Sequence, residues 1–359
     1  MPDELPQAFE LNCPIPLGDH ASVQLAHGGG GRLMQGLIEG LFLPAFAPQP
    51  GDPRKRQAAP HDSAVLEFGA SRLALTTDTF VVSPLFFPGG DIGRLAVYGT
   101  VNDLAMAGAR PLWLSAGFIL EEGLPMDTLR RVVESMRSSA DETGVRIVTG
   151  DTKVVDRGKG DGIFINTSGV GLVAEGVEIS PERVAPGYAV IVSGDLGRHG
   201  IAVMSVREGL SFEGAPESDC GSLAGLVEAL LDADPDIHCL RDLTRGGLAA
   251  ALAEIAASAR LGMELLESSI PVSKPVTGAC ELLGLDPLYV ANEGRLVALV
   301  PAEAAGQTLE IMRRHPAAPE PAVIGTVTED HPGIVELRGP LGGRRIVELL
   351  SGEQMPRIC

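Results

Sequence analysis

The sequence predicts an α+β protein of two domains. Its 359 residues, 45% of them hydrophobic, are enough to form two cores. The predicted strands and helices do not alternate strictly, unlike those of a doubly wound parallel sheet. Prolines and glycine interrupt the pattern between Glu175 and Gly187. The domain boundary is therefore predicted in that stretch.

The first domain is predicted to begin with a hairpin. Strands at 64–68 and 72–77 are joined at Gly69, a typical turn residue. Asp91 is a suitable N-cap for a helix that runs to about Ala107. The other elements predicted here are an amphipathic helix from Leu33 to Leu41, a surface loop at 47–61, strands at 112–120, 145–149 and 163–174, and a helix from Pro125 to Gly144.

The second domain is predicted to begin with a strand at 189–193. Helices at 222–231 and 245–260 follow, and then a strand at 295–300.

Composition excludes several classes of protein. The net charge of −19 argues against a nucleic-acid-binding surface, because phosphate would be repelled. Five scattered cysteines without a C-x-x-C pair fit a reducing cytoplasm better than a disulfide framework or a zinc site. No apolar run reaches the length of a membrane span, and the N-terminus does not have the pattern of a signal peptide. We therefore expect a cytoplasmic protein.

Four acids stand at positions where a carboxylate needs a partner or a cation: Asp62, Asp78, Asp103 and Asp242. Asp78 is predicted to close an apolar strand, and Asp103 interrupts an otherwise apolar helix. Taken singly, each acid could be a helix cap or a turn residue, although Asp103 is the hardest to explain in that way. Hard oxygen ligands of this kind suit Mg²⁺ that bridges carboxylates to substrate phosphates.

A second set of residues suits a bound phosphate. His27 and the glycines Gly28, Gly29, Gly30 and Gly31 precede a predicted helix, where main-chain N–H groups can bind anions, although a bare glycine run could equally be a linker. Asp151, Thr152 and Lys153 are predicted at a strand end, where the lysine could balance phosphate charge or lie on the surface. Glu293, directly before a strand, is a candidate general base or a turn residue. No Walker A pattern is present.

The chain ends in a cysteine, Cys359. The residues from Ser351 to Cys359 would span roughly 30 Å if fully extended. Such a thiol could be presented to one site, withdrawn and presented to another. A frayed terminus that happens to end in cysteine is the alternative.

Taken together, these motifs resemble the HypE family, the carbamoyl-cysteine dehydratases of NiFe-hydrogenase maturation. The resemblance covers nearly the whole chain in order, and the terminal PRIC separates this family from the wider group of aminoimidazole-ribotide synthetase, selenophosphate synthetase and thiamine-phosphate kinase. The matching segments are HGGGGR (27–32), TTDTFVVSPLFFPGGDIGRLAVYGTVNDLAMAGA (76–109), FILEEGLPM (118–126), TGDTKV (149–154), FINTSGVG (164–171), SGDLGRHG (193–200), RDLTRGG (241–247), ANEGRLV (291–297) and PRIC (356–359).

The resemblance implies a two-domain α+β fold of the aminoimidazole-ribotide synthetase type, in which the N-terminal domains of a homodimer pair into a β-barrel. It divides the chain into four parts. They are an N-terminal segment with a glycine-rich lid (1–50), an ATP-binding and dimerisation domain (51–178), a C-terminal domain (179–345) and a flexible tail that carries the acceptor cysteine (346–359).

The resemblance also implies a reaction. Cys359 would receive a carbamoyl group from the partner HypF, ATP would drive its dehydration to a thiocyanate, and the cyano group would pass to iron on the HypC–HypD complex. Mg²⁺ would be held by the four aspartates. Lys153 and Glu293 would transfer protons, with Asn102, Asp151 and Thr152 beside the nucleotide or metal and the glycine loop over the phosphates.

Two other functions remain open at this stage. One is a different ATP-dependent member of the wider group, such as a small-molecule kinase or a synthetase. Selenophosphate synthetase would be expected to carry cysteine or selenocysteine in the glycine loop, whereas His27 precedes the glycines here. The other is a non-catalytic scaffold that binds nucleotide and presents its tail.

Overall fold

The computed structural model describes residues 22–47, 61–210, 214–233, 236–352 and 354–359. The predicted loop at 47–61 lies outside these residues except for its two ends, as does most of the sequence before the glycine run. Within the described ranges, no helix combines the length and the apolarity needed to cross a membrane.

The first unit is a five-stranded sheet with two long helices on one face. Its strand order is β1-β2-β7-β5-β6, and only the β5–β6 pair is parallel. The elements up to Val173 are α1 (Arg32–Leu37), a π-helical turn (Ile38–Phe42), α2 (Leu43–Phe46), β1 (Ala64–Phe68), β2 (Ser71–Phe80), β3 (Phe86–Phe87), β4 (Gly90–Asp91), α3 (Ile92–Met106), β5 (Ala109–Glu121), α4 (Met126–Thr143), β6 (Arg146–Val155) and β7 (Ile163–Val173).

The two faces of this sheet differ. On the inner face, Phe80 and Ile165 pack with apolar residues of α3 and α4 in one core. On the outer face, large apolar side chains are exposed, and Trp113 is 49% accessible and Phe68 72%. Because side chains alternate along a strand, the paired residues Asp78, Thr167, Ala116 and Gly150 belong to the inner face.

The second unit is a seven-stranded sheet in the order β14-β13-β10-β12-β8-β11-β9, with β10–β13 the parallel pair. The strand pattern and the helices confirm the predicted α+β class. The elements are β8 (Ala189–Val192), α5 (Arg198–Arg207), α6 (Ala224–Ala233), β9 (Cys239–Asp242), α7 (Gly247–Ala259), β10 (Gly262–Leu266), α8 (Lys274–Leu283), β11 (Leu296–Val300), α9 (Ala305–Arg314), β12 (Ala322–Thr328), β13 (Val335–Arg338) and β14 (Arg344–Val347).

Helix α3 joins the two units. Its N-cap is Asp91, as predicted, and the Oδ1 atom of Asp91 accepts hydrogen bonds from the main-chain N–H groups of Gly93 and Arg94. The helix is buried on nearly all sides, because it contacts β2, β5 and β7 in the first unit and α6 and β9 in the second. A residue near its C-terminal end therefore lies where the two units meet.

Three boundaries differ from the predicted ones. Strand β2 continues to Phe80, so Asp78 lies inside it rather than at its end. Strand β6 continues to Val155, so Gly150 to Lys153 are strand residues. Strand β14 pairs with β13 as far as Val347, so the tail predicted to begin at residue 346 begins after that strand. Strands β2 and β6 are extended by cross-strand partners far along the chain, whereas β14 pairs with the nearby strand β13.

Candidate active site at the junction of the two units

Three of the four predicted aspartates form one cluster. Asp62 precedes β1, Asp103 is in the last turn of α3 and Asp242 is the last residue of β9. One carboxylate oxygen from each lies within 4.8 Å of the others. The cluster is held in place by Thr76 of β2, whose hydroxyl lies 2.8 Å from Oδ2 of Asp103 and 3.0 Å from the carbonyl oxygen of Asp62. Asp78 also lies near the cluster on the inner face of the sheet.

The cluster carries more negative charge than its buried surroundings favour. Burial, and then the charges of Asp242, Asp62 and Asp78, raise the pKa of Asp103 well above its usual value. Burial and the charge of Asp62 raise the pKa of Asp242 in the same way, although Arg241 opposes the shift. Burial likewise raises the pKa of Asp78, against the opposing charge of Arg245. A bound cation would relieve this repulsion.

Two arginines, Arg241 and Arg245, offset part of this charge. The sequence alone assigned neither of them a role. The Nε atom of Arg241 is 2.6 Å from Oδ1 of Asp62, and its Nη2 atom pairs with Glu254 on α7. The positive charge of Arg245 opposes the rise in the pKa of both Asp78 and Glu293 that burial causes. Both residues belong to the RDLTRGG segment, where two arginines close to an aspartate were a usable signal for a charged centre.

The glycine loop lies against the same segment. The Nη1 atom of Arg245 donates a hydrogen bond of 2.7 Å to the carbonyl oxygen of Gly28. Gly30 has φ +75°, and a Cβ atom at Gly31 would lie 2.3 Å from the carbonyl oxygen of Leu350. The loop is thus packed between Arg245 and the residues that lead into the tail. His27, just before it, accepts a hydrogen bond from the main-chain N–H of Gln24 within a short 3₁₀ helix.

Glu293 lies buried beside the acidic cluster. Its Oε1 atom is buried without a hydrogen-bond partner. Burial, followed by the charges of Asp78, Asp242 and Asp219, raises its pKa well above the usual value. A buried carboxyl group with a raised pKa in such a place is a candidate general acid or base.

Asn102 joins the two units. Its amide nitrogen donates to the carbonyl oxygen of Gly221, 3.0 Å away, and its Oδ1 atom accepts from the N–H of Leu223 at 2.7 Å. Both polar ends of this amide are therefore engaged by main chain of the second unit. The prediction that Asn102 lies beside a nucleotide receives no support from these contacts.

The single chain does not bring Asp151, Thr152 and Lys153 to the aspartates. Asp151 is in register with Gly117, Asn166 and Thr79, which belong to the outer face, whereas Asp78 belongs to the inner face. Lys153 shares the outer face with Asp151, and the two side chains form an exposed ion pair with an Nζ–Oδ2 distance of 2.6 Å. Thr152 belongs to the inner face, but on β6, the edge strand that lies three strands from β2.

The C-terminal tail lies in a groove between the two units. We call this the tail groove and define it by Val81, Ser83, His199 and Arg207. The N–H of Val81 donates a hydrogen bond of 2.9 Å to the carbonyl oxygen of Cys359. Met355 and Ile358 are buried in the same apolar core as Phe80. The structure thus holds the tail in a defined place rather than as a free end.

The residues of the cluster fit a divalent cation. Carboxylate oxygens are the ligands that Mg²⁺ prefers. The Oδ2 atom of Asp62 is buried without a hydrogen-bond partner, so a coordination position is available at the cluster. Asp62, Asp103 and Asp242 are close enough together to bind one ion, and Asp78 lies close enough for its charge to act on Asp103 and Asp242.

Comparisons with known proteins agree with this architecture. The family description "AIR synthase related protein, N-terminal domain" matches residues 60–173, and the corresponding C-terminal domain matches residues 185–338. The chain is 54% identical over 340 residues to carbamoyl dehydratase HypE of Azotobacter vinelandii, covering 95% of this chain and 98% of that protein.

Two solved structures are similar over nearly their full length. A HypE–HypF complex contains a chain with 45% identity and a TM-score of 0.81, covering 88% of this chain and 99% of that one. The hydrogenase maturation protein HypE in complex with ATP has 47% identity and a TM-score of 0.78, covering 94% and 100%. The chain therefore belongs to the AIR synthase related family and, within that family, to the HypE carbamoyl dehydratases.

Proposed function

We propose that this chain uses ATP to dehydrate an S-carbamoyl group on its own Cys359, producing a thiocyanate that supplies the cyanide ligand of NiFe-hydrogenase iron. The observation that carries the proposal is the hydrogen bond between the carbonyl oxygen of Cys359 and the N–H of Val81. Val81 is three residues after Asp78, a separation of at most roughly 10 Å along the chain. Cys359 is thus held beside the end of the strand that carries Asp78.

The names of the similar proteins support three parts of this proposal: the carbamoyl substrate, the use of ATP and the partner HypF. Carbamoyl dehydratases are named for the reaction, one solved relative is a complex with ATP, and another is a complex with HypF. We infer that HypF supplies the carbamoyl group to Cys359. Delivery of the cyano group to a HypC–HypD complex, and a cytoplasmic location, are further parts of the proposal.

The reaction needs activation because the oxygen of a carbamoyl group is a poor leaving group. Transfer of the γ-phosphoryl group of ATP to that oxygen makes an imidate phosphate and releases ADP. One proton leaves the nitrogen as the imidate phosphate forms. The C–O bond then breaks, phosphate leaves with the oxygen, and the nitrogen loses its second proton as the C≡N bond forms. No oxidation or reduction is involved. The phosphoryl step depends mainly on positioning and on neutralisation of charge.

Mg²⁺ held by Asp62, Asp78, Asp103 and Asp242 would neutralise phosphate charge when bound. Gly30 and Gly31 would bring main-chain N–H groups close to the phosphates, because no side chain separates them from a ligand. Arg245 lies between this loop and the acids, so we assign it the task of orienting the phosphates. Glu293 is buried with a raised pKa and would take a proton from the carbamoyl nitrogen.

We further propose that two copies pair through the outer face of the first sheet. The face exposes large apolar side chains that a second copy would cover: Leu66, Phe68, Leu75, Trp113 and Ile119. Lys153 and Asp151 share that face. A role of Lys153 in proton transfer, or of Asp151 and Thr152 beside the nucleotide, therefore depends on the dimer.

The test is to measure the mass of the C-terminal peptide after incubation with the carbamoyltransferase, carbamoyl phosphate and ATP. A gain of the carbamoyl mass followed by loss of water supports a dehydratase. Carbamoylation that never loses water would favour a scaffold, and ATP turnover without any change at Cys359 would favour a small-molecule kinase. The Asp103→Asn variant serves as the control, because it keeps Cys359 as an acceptor.

A further inference from the structure

We propose that the tail groove is a binding site that recognises the main chain of the last four residues, and that Arg207 is its principal positioning residue. The purpose we give the site rests on the proposed dehydration. The docking itself does not, because it is visible in contacts that involve neither ATP nor a carbamoyl group.

Arg207, at the C-terminal end of α5, binds three carbonyl oxygens from two separate segments. Its Nη1 atom donates to Pro356 at 2.6 Å, and its Nη2 atom donates to Arg357 at 2.6 Å. Its Nε and Nη2 atoms also donate to Ser83, at 2.9 and 2.6 Å. A planar guanidinium with five N–H donors in a fixed fork can make these four hydrogen bonds at once, whereas an ammonium group has only three donors on a single nitrogen.

Two other groups bind the remaining carbonyls of the tail. The Nε2 atom of His199, which is fully buried, lies 2.8 Å from the carbonyl oxygen of Ile358, and its Nδ1 atom lies 2.9 Å from the hydroxyl of Ser218. The N–H groups of Val81 and Ser83 donate to the carbonyl oxygens of Cys359 and Arg357. Each of the four final carbonyl oxygens therefore accepts at least one hydrogen bond.

Apolar anchors set the register of the tail. Met355 and Ile358 are 6% and 3% exposed and pack in the core that includes residues of both units. Arg357, between them, has φ 55° and forms an ion pair with Asp161. This left-handed backbone conformation is strained for a residue with a Cβ atom, so the surrounding contacts must maintain it.

Recognition of the tail through its main chain has a chemical consequence. The hydrogen bonds described above are made to main-chain oxygens of the tail, and its most deeply buried anchors are Met355 and Ile358, while Cys359 is partly buried against the same core. The site can therefore hold the tail whether the sulfur carries a thiol, a carbamoyl or a cyano group. The groove would fix the position of the sulfur, while discrimination between its chemical states would fall to groups nearer the acids.

The experiment is alkylation of Cys359 by iodoacetamide in the full chain without nucleotide, followed by mass spectrometry of the C-terminal peptide. Arg207→Met should raise the rate at least about tenfold, because it removes the charge-assisted hydrogen bonds to the carbonyl oxygens of Pro356 and Arg357. Arg207→Lys should give a smaller increase. Arg137→Met, a loss of an exposed arginine on α4, is the matched control and should leave the rate unchanged.

A second variant keeps the test independent of the stability of α5. Ile358→Ser removes an anchor from the tail side and should raise the alkylation rate as Arg207→Met does. The double variant should be no faster than the faster single one, because both release the same segment. Equal rates for Arg207→Met, Ile358→Ser and Arg137→Met would overturn the proposal. Since the assay contains no ATP, this result would leave the proposed dehydratase activity standing.

Discussion

The hydroxyl of Thr76 on β2 donates a hydrogen bond of 2.8 Å to Oδ2 of Asp103 on α3. This contact fixes a carboxylate of the central helix against the sheet of the first unit. Asp242 of the second unit approaches the same carboxylate. The acidic cluster thus exists only when both units are folded and docked, and a change at Asp103 tests the whole arrangement.

Asp103→Asn should abolish dehydration without preventing carbamoylation. The amide keeps the shape of the side chain but removes one negative charge and one oxygen ligand, so Mg²⁺ and ATP phosphates are no longer held correctly. We expect the ATP-dependent rate to fall at least about 100-fold, or about 2.7 kcal/mol of transition-state stabilisation. Mass spectrometry of the C-terminal peptide would then show the carbamoyl adduct accumulating. Unchanged turnover would make Asp103 merely structural.

The same variant should stabilise the metal-free protein, increasingly so at higher pH. The pKa of Asp103 is higher in the folded than in the unfolded state, so its contribution to stability is complete below about pH 4 and is lost as pH rises through the folded pKa. In EDTA, the Tm of Asp103→Asn should therefore match the wild type near about pH 4 and exceed it near about pH 8. Each kcal/mol gained should raise Tm by about 1–2 °C, because the entropy of unfolding scales with the length of the chain.

Mg²⁺ provides the control for that measurement. It should raise the Tm of the wild type, because the cation binds the folded cluster and relieves its repulsion. It should have little effect on Asp103→Asn. A Tm difference that does not vary with pH would argue against repulsion at the cluster.

Much of the architecture around this site could be predicted from the sequence. The N-cap Asp91 and the periodicity of α3 were sufficient to locate the central helix and to place Asp103 within it. Asp78 and Asp103 were identified because one closes an apolar strand pattern and the other interrupts an apolar helix pattern, and Asp62 and Asp242 because they stand at loop or strand-end positions among polar or small residues. Local signals of this kind need no knowledge of which strands pair.

Features that depend on pairing could not be predicted. The face on which Lys153 lies follows from the register of β6 against β5, and a shift of one residue would reverse it. Strand β2 extends past its apolar residues because Asp78 and Thr79 pair with Thr167 and Asn166 of β7. Arg207 meets carbonyl groups 124 to 150 residues away, so nothing near it in the sequence indicates its role.

Glu293→Gln should separate proton transfer from nucleotide binding. The variant keeps the size of the buried side chain, whose Oε1 atom has no hydrogen-bond partner, but it cannot accept a proton. We expect ATP to bind with nearly unchanged affinity and the dehydration rate to fall at least about 100-fold. Isothermal titration with a non-hydrolysable ATP analogue and mass spectrometry of Cys359 measure the two properties. An equal loss of both would instead assign Glu293 to ATP binding.

Cys359→Ser should remain docked although it cannot become a thiocyanate. The groove binds the carbonyl oxygens of the tail, so removal of the sulfur leaves those hydrogen bonds in place. Hydrogen exchange at the amides of Val81 and Ser83 should match the wild type, and ATP binding should persist. Faster exchange at Val81 would mean that the sulfur itself helps to hold the tail. Cys359→Ala should behave in the same way and form no cyano group.

Trp113→Glu should convert the proposed dimer into a monomer. Trp113 lies on the outer face of the first sheet and is 49% exposed in the single chain. If a second copy covers this face, each of the two copies buries one glutamate in the interface without a positively charged partner. The dissociation constant of the dimer should therefore rise at least about 100-fold. Light scattering after size-exclusion chromatography measures the change.

Val133→Glu, at a similarly exposed apolar position on α4, is the matched control and should leave the mass unchanged. Because Lys153 shares the outer face, loss of dehydration together with loss of the dimer would support its action across the interface, whereas a fully active monomer would remove Lys153 from the mechanism.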